Sequence, residues 1–146
     1  MKVIYRKIKN MNDFIDAIRL RTDVFLIEQK CPPGWEPDEL DKVATHLVAT
    51  IDNKIIATIR LREEPKNIAK LERLVVNKNY RKRGIGSSLV NYAVKQAKRK
   101  GFKRIWLQGQ KRVYRTFEKV GFKIISQEYD LFNLGIPHID MELLLK

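Results

Sequence analysis

LERLVVNKNYRKRGIG, residues 71 to 86, places an apolar, partly β-branched run directly before a basic turn that contains two glycines. Leu71 to Val76 has the composition of a largely buried strand. Beyond the turn, Gly101 is placed to end a helix whose apolar residues recur at helical spacing, namely Leu89, Val90, Ala93, Val94 and Ala97. The stretch therefore predicts a strand, a tight turn and a helix.

The turn from Arg81 to Gly86 has the features of a cradle for an anion. Two glycines without Cβ atoms let successive backbone N–H groups face a ligand, and the helix N-terminus adds partial positive charge. The dinucleotide-binding pattern is excluded because Leu89 stands where it needs a small residue, and no Gly-Lys-Ser or Gly-Lys-Thr follows for a P-loop.

Basic residues surround this turn. The segment from Arg73 to Phe117 contains fourteen of the 30 lysines and arginines and no acidic residue, as a multiply phosphorylated ligand would favour. A solvated helix face is the alternative for four of the cations, Lys95, Lys98, Arg99 and Lys100.

The rest of the chain has the patterns of short strands and helices. A strand is predicted at Val3 to Ile8, followed by a helix that Asn12 or Asp13 caps. The other predicted elements are a hairpin of His46–Ile51 and Ile55–Leu61, a strand at Lys103–Leu107, a short helix ended by Gly121, and strands at Phe122–Gln127 and Ile139–Leu145. The fold class is α/β (α+β): a mixed, mostly antiparallel sheet of about six or seven strands, flanked by helices, with one βαβ unit.

Composition bounds the class of protein. The 146 residues, 44% hydrophobic and 32% charged, suit a single domain spanning 1–146, and the net charge of +13 admits an anionic ligand, nucleic acid or a membrane surface as partner. Cys31 is the only cysteine, which excludes an internal disulfide framework. Charges interrupt the N-terminal segment and no stretch is long enough to span a bilayer, so we expect a cytoplasmic protein without membrane attachment.

Residues 71–86 resemble the acetyl-coenzyme A signature of the GNAT superfamily of N-acetyltransferases, a strand followed by Arg or Gln-x-x-Gly-x-Gly or Ala. Two further stretches resemble the ElaA-like branch near glucosamine-phosphate N-acetyltransferases: Val24, Phe25, Glu28, Gln29, Pro32, Glu36, Asp38, Asp41, Ala44 and His46, and then Gly135 to His138 with Met141. The resemblance implies acetyl-CoA as co-substrate, no metal, and direct acetyl transfer to an amine.

The resemblance also implies which residues hold acetyl-CoA. The diphosphate would lie on backbone amides of Lys82 to Ser87, and the pantetheine arm would pair with the strand of Leu74 and Val76. Val75 and Val76 would offer main-chain polarity near the thioester carbonyl. The full expected set is Leu74, Val75, Val76, Arg81, Lys82, Arg83, Gly84, Ile85, Gly86, Ser87, Tyr114 and Phe117.

Acetyl transfer to an ammonium group needs a base, and the leaving thiolate benefits from an acid. Glu72 is the first candidate base, with pairing to Arg73 or Arg60 as its alternative role. Many family members carry a tyrosine that protonates the leaving thiolate where this chain has Phe117. Tyr114, three residues earlier, is therefore a candidate substitute acid or else a packing residue. His46 and His138 are candidate bases or buried structural histidines, and two histidines alone make no metal site.

An acidic segment reverses the local charge, because residues 28 to 41 carry a net charge of −4. Glu28, Asp38 and Asp41 are candidate ligands for a cationic amine, and Trp35 is a candidate wall of its pocket; the alternatives are internal ion pairs and an anchor on the core. Cys31 is interpreted as a packing residue.

The function favoured by the sequence is an acetyl-CoA-dependent N-acetyltransferase acting on the primary amine of a small molecule. Two alternatives stay open. The first is a basic module on the same fold that binds nucleic acid or protein and has weak or lost catalysis, and the second is a protein or peptide acetyltransferase. The oligomeric state, including a homodimer, is not decided by the sequence.

Overall fold

The structure, a computed structural model, describes residues 2–31 and 36–146. Its eight strands are β1 (Ile4–Lys7), β2 (Thr45–Ile51), β3 (Lys54–Glu63), β4 (Ala69–Val76), β5 (Arg104–Gln110), β6 (Lys123–Ile124), β7 (Tyr129–Asp130) and β8 (Pro137–Leu144). The α-helices are α1 (Met11–Thr22), α2 (Ile85–Arg99) and α3 (Tyr114–Glu118). A π-helical turn, Asp23–Glu28, continues α1, and 3₁₀ turns lie at Glu39–Lys42, Lys78–Tyr80 and Lys111–Val113.

The strands form one sheet in the order β1-β2-β3-β4-β5-β8-β6, with β7 also paired to β8. β4 and β5, which α2 connects, are parallel, and the other recorded pairs are antiparallel. The predicted fold class is thereby confirmed. The sheet has eight strands, more than the predicted six or seven, because the two-residue β7 is too short to leave an alternation in the sequence.

Side-chain alternation gives the sheet two different faces. On one face, the apolar stripe of α2 packs against Ile59, Leu61 and Leu71 and continues over β5 and β8. On the opposite face, α1 packs against Val48 and Val75. Because neighbouring residues of a strand point to opposite faces, the polar residues that alternate with the α2-facing ones lie on the α1 side, namely Arg60, Lys70, Glu72, Gln108, Gln110 and His138.

β4 contains a β-bulge beside its partner β3. Thr58 pairs with Val75 and Arg60 pairs with Glu72, so Ile59 is opposed by both Arg73 and Leu74. Arg73 has a φ of 58°, a left-handed conformation that a long side chain rarely adopts. The bulge lies just beyond the part of β4 that pairs with β5.

β4 and β5 pair over a short length before they separate. Their ladder joins Ala69–Leu71 to Ile105–Leu107, although β4 continues to Val76 and β5 to Gln110. The unpaired second halves of the two strands leave a cleft that opens toward the turn before α2.

Several element ends differ from the sequence prediction. α1 begins after Asn10, whose side chain caps it by accepting from the Asp13 N–H, while the Asp13 carboxylate pairs with Arg6. Helical backbone also continues past α1 through the π-helical turn Asp23–Glu28, which buries Val24 and Phe25. Within the described residues, no helix is both long and apolar enough to cross a bilayer.

Candidate active site

A cleft of about 610 Å³ lies between the separated halves of β4 and β5. One end is formed by the turn before α2, from Tyr80 to Ser87, by Val113 just before α3, and by Thr116 and Phe117 of α3. The other walls come from the α1 side of the sheet, the segment between β7 and β8, and the residues that follow α1. The bulge of β4 lies within the lining, so main-chain groups of that strand border the cavity.

The turn before α2 has the geometry of an anion cradle. Lys82 and Gly84 both have positive φ, 63° and 78°, and the first helical hydrogen bond runs from the Ser88 N–H to the Gly84 carbonyl at 3.0 Å. The preceding N–H groups of the first turn, at Ile85, Gly86 and Ser87, have no acceptor inside the helix. A Cβ built on Gly84 would meet nothing within 4 Å, so space for a ligand lies in front of the turn. These residues fit a diphosphate.

Arg81 fastens the cradle to its surroundings. Its Nε donates to the Val76 carbonyl at 2.9 Å, and its Nη atoms donate to the Glu28 carboxylate at 2.8 and 2.9 Å. The hydrogen bonds from Arg81 lower the pKa of Glu28. Glu28 therefore pairs with Arg81 and does not line the cleft. Arg83 is also outside the lining, with its guanidinium 5.4 Å from the centre of the Tyr80 ring.

Glu72 lines the cleft but is held by three cations. Its carboxylate accepts from Arg60 and Arg62, with 2.7 Å between each Nε and Oε2, and lies 3.4 Å from Lys70. Burial by itself would raise the pKa of Glu72, but the hydrogen bond from Arg62 and the charges of Arg60 and Arg62 lower it to about 2. A carboxylate with so low a pKa is a weak base. The geometry favours the pairing alternative for Glu72, with Arg60 as the expected partner and Arg62 as an additional one.

The acidic segment is also paired internally. Asp41 is buried and accepts from Arg21 at 2.8 Å and from Arg60 at 2.9 Å, which lower the pKa of Asp41 to about 2 against the opposing effect of burial. Asp38 bonds to Arg60 at 2.6 Å and to Arg73 at 3.2 Å. Asp38 lines the cleft, whereas Asp41, the other expected substrate ligand of this segment, does not line it and directs both of its oxygens to buried arginines.

Two other expectations fall on the same segment. Trp35, expected as a pocket wall, lies outside the described residues. Cys31 is buried at the cleft, and burial raises the pKa of its thiol, which keeps the sulfur protonated as expected of a packing residue.

The two histidines have different surroundings. His46 is buried away from the cleft, its Nε2 donates to the Asp41 carbonyl at 3.0 Å, and burial lowers its pKa. His138 lines the cleft, and its Nδ1 lies 2.8 Å from the Ile136 carbonyl. Because a carbonyl only accepts hydrogen bonds, Nδ1 carries the proton and Nε2 keeps the lone pair. Of the two, His138 is placed to accept a proton in the cleft.

α3 presents Phe117 to the cleft and turns Tyr114 away from it. Phe117 is buried and contacts Phe122 edge to face, with ring centres 6.0 Å apart. The Tyr114 hydroxyl instead accepts from Arg115 Nε at 3.2 Å, and Tyr114 is not among the cleft-lining residues. With Phe117 packed in this way, the helix places Tyr114, the expected substitute acid, outside the cleft lining.

Three glutamines that the sequence interpretation missed also line the cleft. Gln110 donates to Gln29 at 2.9 Å, which joins the end of β5 to the segment after α1. Gln108 accepts from Lys70 at 2.9 Å and donates to the Tyr129 hydroxyl at 3.3 Å. The period of two in β5 was the available signal, since Gln108 and Gln110 alternate with core residues.

Comparison with known proteins identifies the family. The Acetyltransferase (GNAT) family matches residues 13–122. The N-acetyltransferase YjcF of Bacillus subtilis, itself uncharacterised, is 31% identical over 133 residues, covering 91% of this chain and 94% of that protein. Escherichia coli ElaA shares the fold with a TM-score of 0.85 at 19% identity, covering 97% of this chain and 99% of that one. An aminoglycoside 6′-N-acetyltransferase solved with coenzyme A shares it with a TM-score of 0.77 at 19% identity, covering 97% and 96%. The family expected from residues 71–86 is thus confirmed, and the chain is a GNAT-family N-acetyltransferase.

Proposed function

We propose that the protein transfers the acetyl group of acetyl-CoA to a primary amine on a small molecule. The observation that carries this proposal is the cleft between β4 and β5, which is lined both by the positive-φ turn and helix start at Lys82–Ser87 and by the imidazole of His138. The bulged second half of β4 offers unpaired main-chain groups on the cleft side, where an extended pantetheine arm would add as a further strand.

Most of the residues expected to contact acetyl-CoA line the cleft, and we assign each group of them to a part of that molecule. The cradle residues Lys82, Gly84, Ile85, Gly86 and Ser87 would hold the diphosphate, and Leu74, Val75 and Val76 would border the pantetheine arm and thioester. Arg81 would act indirectly, by fixing the turn through Val76 and Glu28. Phe117 would pack against the arm, where it can donate no proton.

The chemistry assigned to the chain is proton removal. Acetyl-CoA supplies an activated acyl group: the amine nitrogen bonds to the carbonyl carbon, the carbon–sulfur bond breaks, and coenzyme A leaves as a thiolate that takes, through water, the second proton that the nitrogen loses on becoming an amide. His138 Nε2 would accept the proton that the attacking ammonium must lose. The fixed Nδ1–H of His138 keeps the lone pair on the nitrogen that this role requires.

Calorimetry of coenzyme A binding tests the cradle. Gly84→Asp adds a side chain and a negative charge where the diphosphate would lie, so we expect affinity to fall at least about 100-fold, or ~2.7 kcal/mol. Gly101→Asp is the matched control, because Gly101 has a φ of 91°, also has open space around its Cβ position, and lies at the far end of α2. Equal affinities of the Gly84 variant and the wild type would refute the cradle assignment.

A further inference from the structure

The walls on the α1 side of the cleft, where an acceptor would approach His138, combine polar side chains with exposed apolar ones. They contain many polar and charged side chains, yet these groups bond to one another. Exposed apolar side chains line the same cavity from two loops. This combination restricts the chemistry of the acceptor amine.

The charged groups of this wall are balanced within the protein. Its lining carboxylates, Asp38 and Glu72, are both held by arginines. Five cations and five anions join through these contacts into one network, made of Arg21, Arg60, Arg62, Lys70 and Arg73 with Glu36, Asp38, Asp41, Glu64 and Glu72. A second ammonium on the acceptor would therefore meet carboxylates that are already neutralised, which argues against a polyamine.

The amide groups on this wall also have internal partners. Gln110 donates to Gln29 and accepts from Arg112 at 2.8 Å. Gln108 accepts from Lys70 and donates to Tyr129. A hydroxyl-rich acceptor such as an aminosugar would have to break these bonds to be recognised, and burying its hydroxyls without partners is unfavourable.

Apolar side chains provide the remaining contact surface. Leu40 lines the cleft from the 3₁₀ turn before β2 and is 37% exposed, and Phe132 and Leu134 line it from the segment before β8 and are 41% and 38% exposed. The Phe132 ring stands edge-on to His138, with ring centres 5.6 Å apart and planes at 88°. An apolar wall thus adjoins the proposed base.

We infer that the acceptor is a primary amine on an apolar alkyl or aryl body, which packs against Leu40, Phe132 and Leu134 while its nitrogen lies near His138. This inference rests on the proposed function and specifies its substrate class. In this inference the acidic segment does not bind the amine, because Glu36, Asp38 and Asp41 form ion pairs with the protein's own arginines.

A homologous amine series tests the inference in the full-length enzyme. With acetyl-CoA saturating, thiol release is measured for ethylamine, butylamine, hexylamine and 2-phenylethylamine, and for spermidine and glucosamine. We expect kcat/KM to rise about two- to fourfold per methylene, the value for partial to full burial of a CH₂ group, and 2-phenylethylamine to exceed spermidine and glucosamine. A flat series, or a preference for spermidine or glucosamine, would overturn the inference.

Variants connect the preference to the wall. Phe132→Ala is expected to lower kcat/KM for 2-phenylethylamine about tenfold or more and to change that for ethylamine less than about twofold. Leu40→Ala is expected to reduce the rise of kcat/KM with alkyl chain length. Ile124→Ala is the matched control, because Ile124 is also exposed, at 48%, but lies on β6 outside the cleft. Equal losses for both amines in the Phe132 variant would count against the wall.

The outcomes separate this inference from the function on which it rests. Turnover of several amines with no dependence on chain length contradicts the apolar acceptor and leaves small-amine acetylation standing. Acetyl-CoA binding without turnover of any amine, but with acetylation of a peptide N-terminus, contradicts both. Faster turnover of the longer and aromatic amines supports both.

Discussion

Among single residues, His138 differs from the two carboxylates that line the cleft in the kind of group that holds its side chain. The carboxylates Glu72 and Asp38 are held by arginines, while the Nδ1 of His138 is held by a carbonyl oxygen. The base that we propose is therefore an imidazole whose neutral tautomer is set by a main-chain carbonyl.

Replacing His138 with Gln should remove the base and keep a polar side chain of similar size. We expect kcat to fall about 10²–10⁴-fold, with little change in coenzyme A affinity. His46→Gln provides the comparison, since His46 lies outside the cleft and bonds to the Asp41 carbonyl. A normal rate in the His138 variant would exclude His138 as the base.

Glu72→Gln separates the structural role of that carboxylate from a catalytic one. Removing its charge takes one carboxylate partner from each of the buried guanidinium groups of Arg60 and Arg62, so we expect the free energy of unfolding to fall by up to about 3–5 kcal/mol in urea titrations. Glu142→Gln, which breaks the more exposed pair with Arg104, should cost no more than about 1 kcal/mol. Loss of activity with unchanged stability would instead support Glu72 as a base.

At the scale of elements, the acidic segment braces the bulge of β4. Arg73 adopts its left-handed conformation while its guanidinium lies 3.0 Å from Glu36 and 3.2 Å from Asp38. A strained backbone conformation persists where surrounding contacts determine it. Because the bulge borders the cleft, the segment before β2 influences the site through the backbone of β4 as well as through Leu40.

Arg73→Met should loosen this brace while keeping most of the apolar stem. We expect faster hydrogen exchange at the amides of Asp38 and Asp41, which bond within the 3₁₀ turn, and a kcat lowered about tenfold. Arg104→Met, which removes a pair on β5 away from the cleft, should leave those amides unchanged. Partial recovery in Arg73→Lys would show that the charge contributes, and unchanged exchange in Arg73→Met would refute the brace.

In the molecule as a whole, the features that depend on neighbouring residues were predictable from the sequence, and those that depend on residues far apart in the sequence were not. The order of strands and helices, the parallel pair around α2 and the cradle at Gly84 follow from the periodicity and spacing of nearby residues. For Asp41 the sequence offered internal ion pairs only as an alternative, and its partners Arg21 and Arg60 could not be predicted, because they depend on how the segment before β2 packs on the sheet. The position of Tyr114 depended similarly on the rotation that Phe117 gives to α3.

The buried charge network also determines how the fold responds to acid. Arginine contacts lower the pKa values of Glu72 and Asp41 to about 2, from ordinary values of 4.5 and 3.8. A lowered folded-state pKa stabilises the fold above the ordinary value, and that contribution is lost as the pH falls toward 2. Glu36 acts oppositely, since burial raises its pKa and its protonation in acid relieves an unfavourable buried charge.

Because two strongly lowered groups oppose one raised group, we expect the net free energy of unfolding to fall by a few kcal/mol between about pH 5 and pH 2. Urea titrations at intervals across this range measure the loss. In Asp41→Asn the protein should be less stable at pH 7, and the acid-dependent part of the loss should be smaller than in the wild type, because the titrating carboxylate is gone. A wild-type stability that stays constant down to pH 2 would contradict the assignment of Glu72 and Asp41 as ionised partners of the buried arginines.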